Sequence, residues 1–291
     1  MSKNPLDKGA QPPFPAQPQP VPGLESKMDP QPDYGERTYR GADKLKGKVA
    51  LITGGDSGIG RAVALAFARE GADLVISYLS EHSDAQETVR IIEKEGRRCV
   101  AIPGDISEER HCIALVERTL GEFGRLDVLV NNAAFQMTHD RIEEFSSEEF
   151  DRTFKTNVYA MFWLCKAAVP HMKPGSSIIN TTSIQSAKPS PTLLAYATTK
   201  GAIVNFTGGL SQMLADKGIR VNAVAPGPVW TPLIPTTMPQ EHVKEFGKSA
   251  ALQRPGQPAE IAPAYVLLAS DDGSYITGAV VPVTGGQLML P

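Results

Sequence analysis

The sequence predicts a doubly wound α/β domain on a parallel sheet of about seven strands. Short apolar runs rich in β-branched residues recur along the chain, each bounded by glycine or polar turn residues. Helix-length amphipathic stretches separate them, which implies parallel pairing through right-handed crossovers. Such short β-branched runs bounded by glycine imply that both sheet faces are covered.

Residues 1–40 stand apart. Pro12, Pro13, Pro15, Pro18, Pro20, Pro22, Pro30 and Pro32 are interleaved with glutamines. Proline removes backbone donors and disfavours helix, so this segment is an extended or disordered arm. It is either a passive tail or a segment whose Tyr34 and Tyr39 pack on another subunit. Residues 41–291 form a single domain. Its first strand is 49–53, followed by a helix over 59–70 that Gly71 closes. The second strand is 74–78, then a helix over 84–95 and a third strand at 99–102. Ser107 is placed to cap a helix running to about 123, with Glu108 and Glu109 in its acidic first turn. A fourth strand follows at 126–130, and one long helix over 147–172. The fifth strand spans 177–183, a helix 194–215, and the sixth strand 219–225. A helix at 260–269 and a last strand at 280–283 complete the pattern.

Composition narrows the function. Of 291 residues 41% are hydrophobic and 21% charged, enough for one large core without disulfide staples. A net charge of −3 gives no footprint for nucleic acid or an anionic membrane. Cys99, Cys112 and Cys165 are scattered, and the five histidines show no H-x-x-x-H spacing, so no metal site is expected. Neither a signal-like apolar run nor a stretch of roughly 20 apolar residues is present, and a cytoplasmic location is expected.

Gly54, Gly58 and Gly60 form G-x-x-x-G-x-G between the first strand and first helix, with Asp56, Ser57 and Ile59 between them. Glycine lets backbone approach a pyrophosphate, and the helix N-terminus offers it free N–H groups. The pattern is that of a Rossmann-type dinucleotide site. Asp105 and Ile106 follow the third strand, and Asn132, Ala133 and Ala134 the fourth, at the carboxyl ends where such sheets bind ligands. Asp105 is either an acceptor for the adenine amino group or a residue of the turn into the next helix. Tyr78 and Leu79 end the second strand, where a carboxylate would hold the ribose of NAD and an arginine the extra phosphate of NADP. With no basic residue there or in the glycine loop, NAD(H) is favoured and NADP(H) is possible.

Ser183, Tyr196 and Lys200 supply acid–base chemistry. Lys200 lies one helical turn beyond Tyr196, on the same face. An ammonium about 4 Å away, at an effective dielectric near 20, interacts by roughly 4 kcal/mol. That would lower the phenol from its usual value near 10 by up to about three pH units before desolvation is subtracted. Ser183 can donate to a substrate oxygen as charge develops on it.

These motifs, Thr53-Gly54-x-x-x-Gly58-x-Gly60, Asn131-Asn132-Ala133, Asn157, Ser183, Tyr196-x-x-x-Lys200 and Pro226-Gly227, resemble those of the short-chain dehydrogenase/reductase family over residues 45–289. The proline-rich arm is similar to that of a bacterial stress-associated subgroup. Ala134 departs from the glycine of many members but stays small. The resemblance implies an NAD(P)-dependent oxidoreductase acting on carbonyls or alcohols, usually a homotetramer. It places Lys200 on the nicotinamide ribose, Asn157 in a water-borne proton relay to Lys200, and Val229 and Thr231, after Pro226 and Gly227, at the nicotinamide amide. Ser183 and Tyr196 would face the substrate.

Residues 233–256 read as a lid. Trp230, Leu233, Ile234, Met238, Phe135 and Leu193 are candidates for an apolar pocket. Without a basic cluster there, a small neutral aldehyde, ketone or secondary alcohol fits better than a phosphorylated or coenzyme-A substrate. Two other readings use the same fold: a non-catalytic NAD(H)-sensing protein, and a dinucleotide-using isomerase or dehydratase.

Overall fold

The computed structural model describes residues 4–287; the chain ends assigned to the arm (1–3) and to the domain (288–291) lie outside the described residues. The elements run β1 (Val49–Thr53), α1 (Gly58–Arg69), β2 (Asp73–Tyr78), α2 (His82–Lys94), β3 (Cys99–Pro103), α3 (Glu109–Phe123), β4 (Val128–Asn131), α4 (Ser147–Phe154), α5 (Ala160–Ala168), β5 (Ser177–Thr181), α6 (Leu194–Leu214), β6 (Arg220–Pro226), α7 (Leu233–Thr237), α8 (Gln240–Lys244), α9 (Pro258–Ala269) and β7 (Val280–Val283). Seven strands form one sheet in the order β3-β2-β1-β4-β5-β6-β7, every neighbouring pair parallel. The order reverses between β1 and β4, which opens a crevice at their carboxyl ends.

Successive residues of β1 explain the two layers. Ala50 and Ile52 face α1 and α9, joining Val63, Phe67 and Tyr265; Leu51 faces the other side, with Leu115 of α3, Leu164 of α5 and Ile203 of α6. No helix among the described residues is long and apolar enough to cross a membrane.

Several boundaries differ from expectation for local reasons. Ser107 does not cap α3: its N–H is held by Asp105 Oδ1 at 2.8 Å, and the helix starts two residues later. The stretch 147–172 is not one regular helix, because a π turn at Lys155–Tyr159 joins α4 to α5. Ser183 lies beyond β5, at the start of a short 3-10 turn.

The arm is not a loose tail. It packs along its own domain. Phe14 is buried and stacks on Trp230 with ring centroids 4.0 Å apart, in a cluster with Met28, Ile234 and Val243. Full burial of such a side chain contributes about 1.5–3 kcal/mol. The Trp230 indole N–H donates to the Pro30 carbonyl at 2.8 Å. Tyr39 donates to Glu70 at 2.5 Å, and Tyr34 lies under the Arg61 guanidinium.

Candidate active site

One cleft of about 760 Å³ opens at the switch between β1 and β4. That is within the ~300–1,000 Å³ range of small-molecule and cofactor sites. It collects Gly54, Asp56, Ser57, Gly58 and Ile59 of the glycine loop, Tyr78 and Leu79 after β2, Asp105 and Ile106 after β3, and Asn132, Ala133 and Ala134 after β4. Ser183, Tyr196 and Lys200 line it too, as do Pro226, Gly227, Val229 and Thr231.

Two glycines show why the loop takes this form. Gly54 has φ +62°, a conformation that disfavours other residues. A Cβ on Gly60 would meet the Gly54 carbonyl oxygen at 1.9 Å, so α1 sits directly against the loop. Gly60, expected at the cofactor, therefore does not line the cleft; it lets helix and loop touch. Asn132 is likewise a clamp as well as a wall, its amide donating to the Thr53 and Gly54 carbonyls at 3.0 and 3.2 Å. The residues fit a dinucleotide: a preformed glycine loop, a helix N-terminus and small side chains at the floor.

The end of the cleft beside Tyr78 and Leu79 is acidic. Asp56 is buried, and burial together with the neighbouring Glu81 pushes its carboxyl up to about 7. Glu81 also lines the cleft, three residues beyond β2. It escapes a reading confined to the strand end, although a carboxylate about 20 residues past the glycines is the relevant signal. The Lys, Arg and His side chains lining the cleft among the described residues are Lys200, Arg152 and His242; Arg152 lies over Phe135, beyond the floor. Asp105 serves its turn through Oδ1 while still facing the cleft.

At the catalytic end, Lys200 is buried and donates to the Thr181 carbonyl at 2.8 Å. Burial draws its ammonium down to about 7. The Tyr196 phenol is pushed up to about 12 by burial, with the Ser183 hydroxyl acting in the opposite direction. This corrects the expected depression of the tyrosine. Desolvation disfavours both charged forms, and a lysine that releases its proton near neutrality has less charge to offer the phenol.

Asn157 does not reach the cleft. Its amide donates to the Phe135 carbonyl and the Thr199 hydroxyl and accepts the Phe135 N–H, so the π turn ties the β4 loop to α6. Behind Lys200 is a second cavity of about 10 Å³, bordered by Asn131, Asn157, Thr181 and Lys200. It has room for about one water. The buried Asn131 Oδ1 has no partner among the described residues.

The substrate end is more polar than expected. Phe135, Leu193, Leu233, Ile234 and Met238 line it, but Trp230 is sealed under the arm, and Gln136, Gln185, Glu241 and Glu245 join instead. Among the described residues, no group of three or more His, Cys, Asp or Glu is arranged to hold a metal.

A family model described as enoyl-(acyl carrier protein) reductase matches residues 54–287. The uncharacterized oxidoreductase YhdF of Bacillus subtilis is 55% identical over 98% of this chain and 99% of its own. NADPH-dependent aldehyde reductase 1, chloroplastic, of Arabidopsis thaliana is 48% identical over 92% and 96%. Among solved structures, a short chain dehydrogenase from Burkholderia cenocepacia in complex with NADP is 32% identical, with TM-score 0.79 over 84% of this chain and 98% of that one. A 3-ketoacyl-(acyl-carrier-protein) reductase from Brucella melitensis complexed with NADH is 36% identical, with TM-score 0.77 over 83% and 98%.

Proposed function

The chain belongs to the short-chain dehydrogenase/reductase family of NAD(P)-dependent oxidoreductases, and from that premise we propose that it interconverts a small aldehyde or ketone and the corresponding alcohol, with Tyr196 as general acid and base. The observation that carries this is the convergence of Ser183, Tyr196 and Lys200 on the same cleft as the glycine loop. A cofactor held by Gly54–Ile59, Asn132–Ala134, Lys200 and Thr231 would supply or accept hydride at the substrate carbon. Tyr196, neutral at working pH, donates its phenolic proton to the carbonyl oxygen in the reducing direction. Ser183 steadies the charge that develops there. Lys200 restores the tyrosine proton, and a group titrating near 7 suits that task. The water-sized cavity beside Lys200 and Asn157 supports a proton route from solvent. Asn131 Oδ1 offers that water an acceptor, and the amide of Asn157, already engaged with Phe135, gives Asn157 a positioning part.

We favour NAD(H), because Asp56 and Glu81 would oppose the additional 2′-phosphate of NADP at the adenosine end. NADP(H) is the alternative, supported by the cofactors of the Arabidopsis relative and the Burkholderia structure. The polar substrate end suits a carbonyl compound bearing hydroxyls. Phe150 of α4, Tyr159 of the π turn and Phe162 of α5 are exposed and would seat further copies in a homotetramer. The free thiols suit the cytoplasm.

Absorbance at the nicotinamide band, with each cofactor and a panel of apolar and polyhydroxy aldehydes, tests the reading. Cofactor binding with no net oxidation or reduction across the panel would favour the sensing protein or the isomerase. Light scattering tests the tetramer.

A further inference from the structure

The cleft has one wall that the α/β domain does not provide. Val21, Pro22 and Gly23 of the arm line it together with Ser57, Gly58 and Thr231. We propose that these three arm residues are part of the dinucleotide site, forming its outer wall between the glycine loop and α7. The proposal rests on reading the cleft as a nicotinamide-dinucleotide site.

The wall is fastened on both sides of the cleft. On the α1 side, Glu25 is 1% exposed, and its Oε2 accepts the Gly58 N–H at 2.6 Å. Its other oxygen pairs with the buried Arg61 guanidinium, and its own N–H donates to Asp84 Oδ2 at 2.7 Å. Arg61 in turn donates to the Asp56 carbonyl at 2.9 Å, so the arm and the glycine loop share one buried cation. Glu25 does not itself line the cleft, and the Arg61 guanidinium lies against both it and Asp84, so the anchor sets no bare carboxylate against a phosphate.

On the lid side, Gly23 lies so close to α7 that a Cβ there would sit 2.4 Å from Thr236 Cγ2 and 3.0 Å from the Pro232 carbonyl oxygen. Further along, the Gln17 N–H donates to Gln240 Oε1 and the Phe14 N–H to the Lys244 carbonyl, which hold the arm to α8. Phe14 stacked on Trp230 closes the apolar end of this attachment. A ligand seated at the α1 N-terminus thus has the arm between itself and solvent, and leaves more easily once the arm lifts.

The test uses the full chain and NADH. Phe14→Ala weakens the attachment at a residue that does not line the cleft; Gly23→Val pushes the wall off α7. NADH release is followed by stopped-flow displacement, and binding by nicotinamide fluorescence. Both variants should release NADH about tenfold faster than wild type, since interface changes act mainly on dissociation. On the unsubstituted chain, trypsin cleavage after the exposed Lys27 should slow at least about fivefold with saturating NADH, because cleavage beside the buried Met28 requires the arm to open. A merely structural arm would lower Tm in the variants and leave both readouts unmoved. Wild-type release rates in the folded variants, or cleavage indifferent to NADH, would overturn the proposal while the site reading stands. A wild-type chain that binds neither NADH nor NADPH would overturn the site reading itself.

Discussion

The Lys200 ammonium lies 5.1 Å from the centre of the Tyr196 ring while its hydrogen bond goes to the Thr181 carbonyl. The pair does not share one proton across a direct bond. Burial separates their titrations, the phenol rising to about 12 and the ammonium falling to about 7. In the mechanism we propose, the tyrosine keeps its proton until the substrate takes it, and the lysine exchanges one with its surroundings near neutrality.

Tyr196→Phe removes the proton and little else. Its kcat should fall by at least about 100-fold, the lower end of what acid–base catalysis contributes. NADH affinity measured by fluorescence should stay within about twofold of wild type. Retention of more than about a tenth of kcat rules out the acid–base role.

Asp56→Asn should stabilise the protein in a pH-dependent way. The folded carboxyl titrates near 7 against an ordinary 3.8, raised by burial and then by Glu81. Ionising it in the fold is therefore unfavourable. The penalty is absent below the ordinary value, grows between the two, and is complete above 7. At about 1.4 kcal/mol per pH unit the upper bound is about 4 kcal/mol. Calorimetry should show Tm raised by several degrees at pH 8 and unchanged near pH 4.

Asn157→Ala strands the Phe135 N–H and carbonyl in the interior and takes one donor from the Thr199 hydroxyl, which still donates to the Tyr196 carbonyl. Losing buried partners costs about 1–3 kcal/mol each before relaxation. The urea midpoint should drop with m unchanged, corresponding to a loss of about 2–4 kcal/mol in unfolding free energy. An unchanged midpoint would mean that water replaces all three contacts.

Glu81→Arg should turn the adenosine end toward a 2′-phosphate, by replacing one of two acids with a counter-charge. The kcat/KM ratio of NADPH to NADH is expected to rise by about tenfold or more. A wild-type ratio already favouring NADPH would reverse the cofactor assignment.

The strands are legible in the sequence because each carries a short run rich in β-branched or apolar residues bounded by turn residues, and β7 coincides with its expected bounds. Ser183, Tyr196 and Lys200 are legible because three reactive side chains in that order, after a glycine loop, rarely arise by chance. The arm is not, since several of its partners lie some 200 residues away: Pro30 answers Trp230, and Phe14 has no periodic neighbours to reveal a face. The titration of Tyr196 is hidden for a related reason, because it follows from how much water the fold removes around the ring rather than from Lys200 being one turn away.

The five-residue turn at Lys155–Tyr159 carries a length constraint that no side chain shows. A π turn holds one residue more than the α-helical turn it replaces. Deleting any single residue there would let α4 and α5 merge into an uninterrupted spiral with better internal geometry. Phe162 and Leu164 would keep their azimuth, because the π turn holds its extra residue within one turn, but the backbone that presents Asn157 would be redrawn, and the chain would gain a smoother rod at the expense of its grip on Phe135.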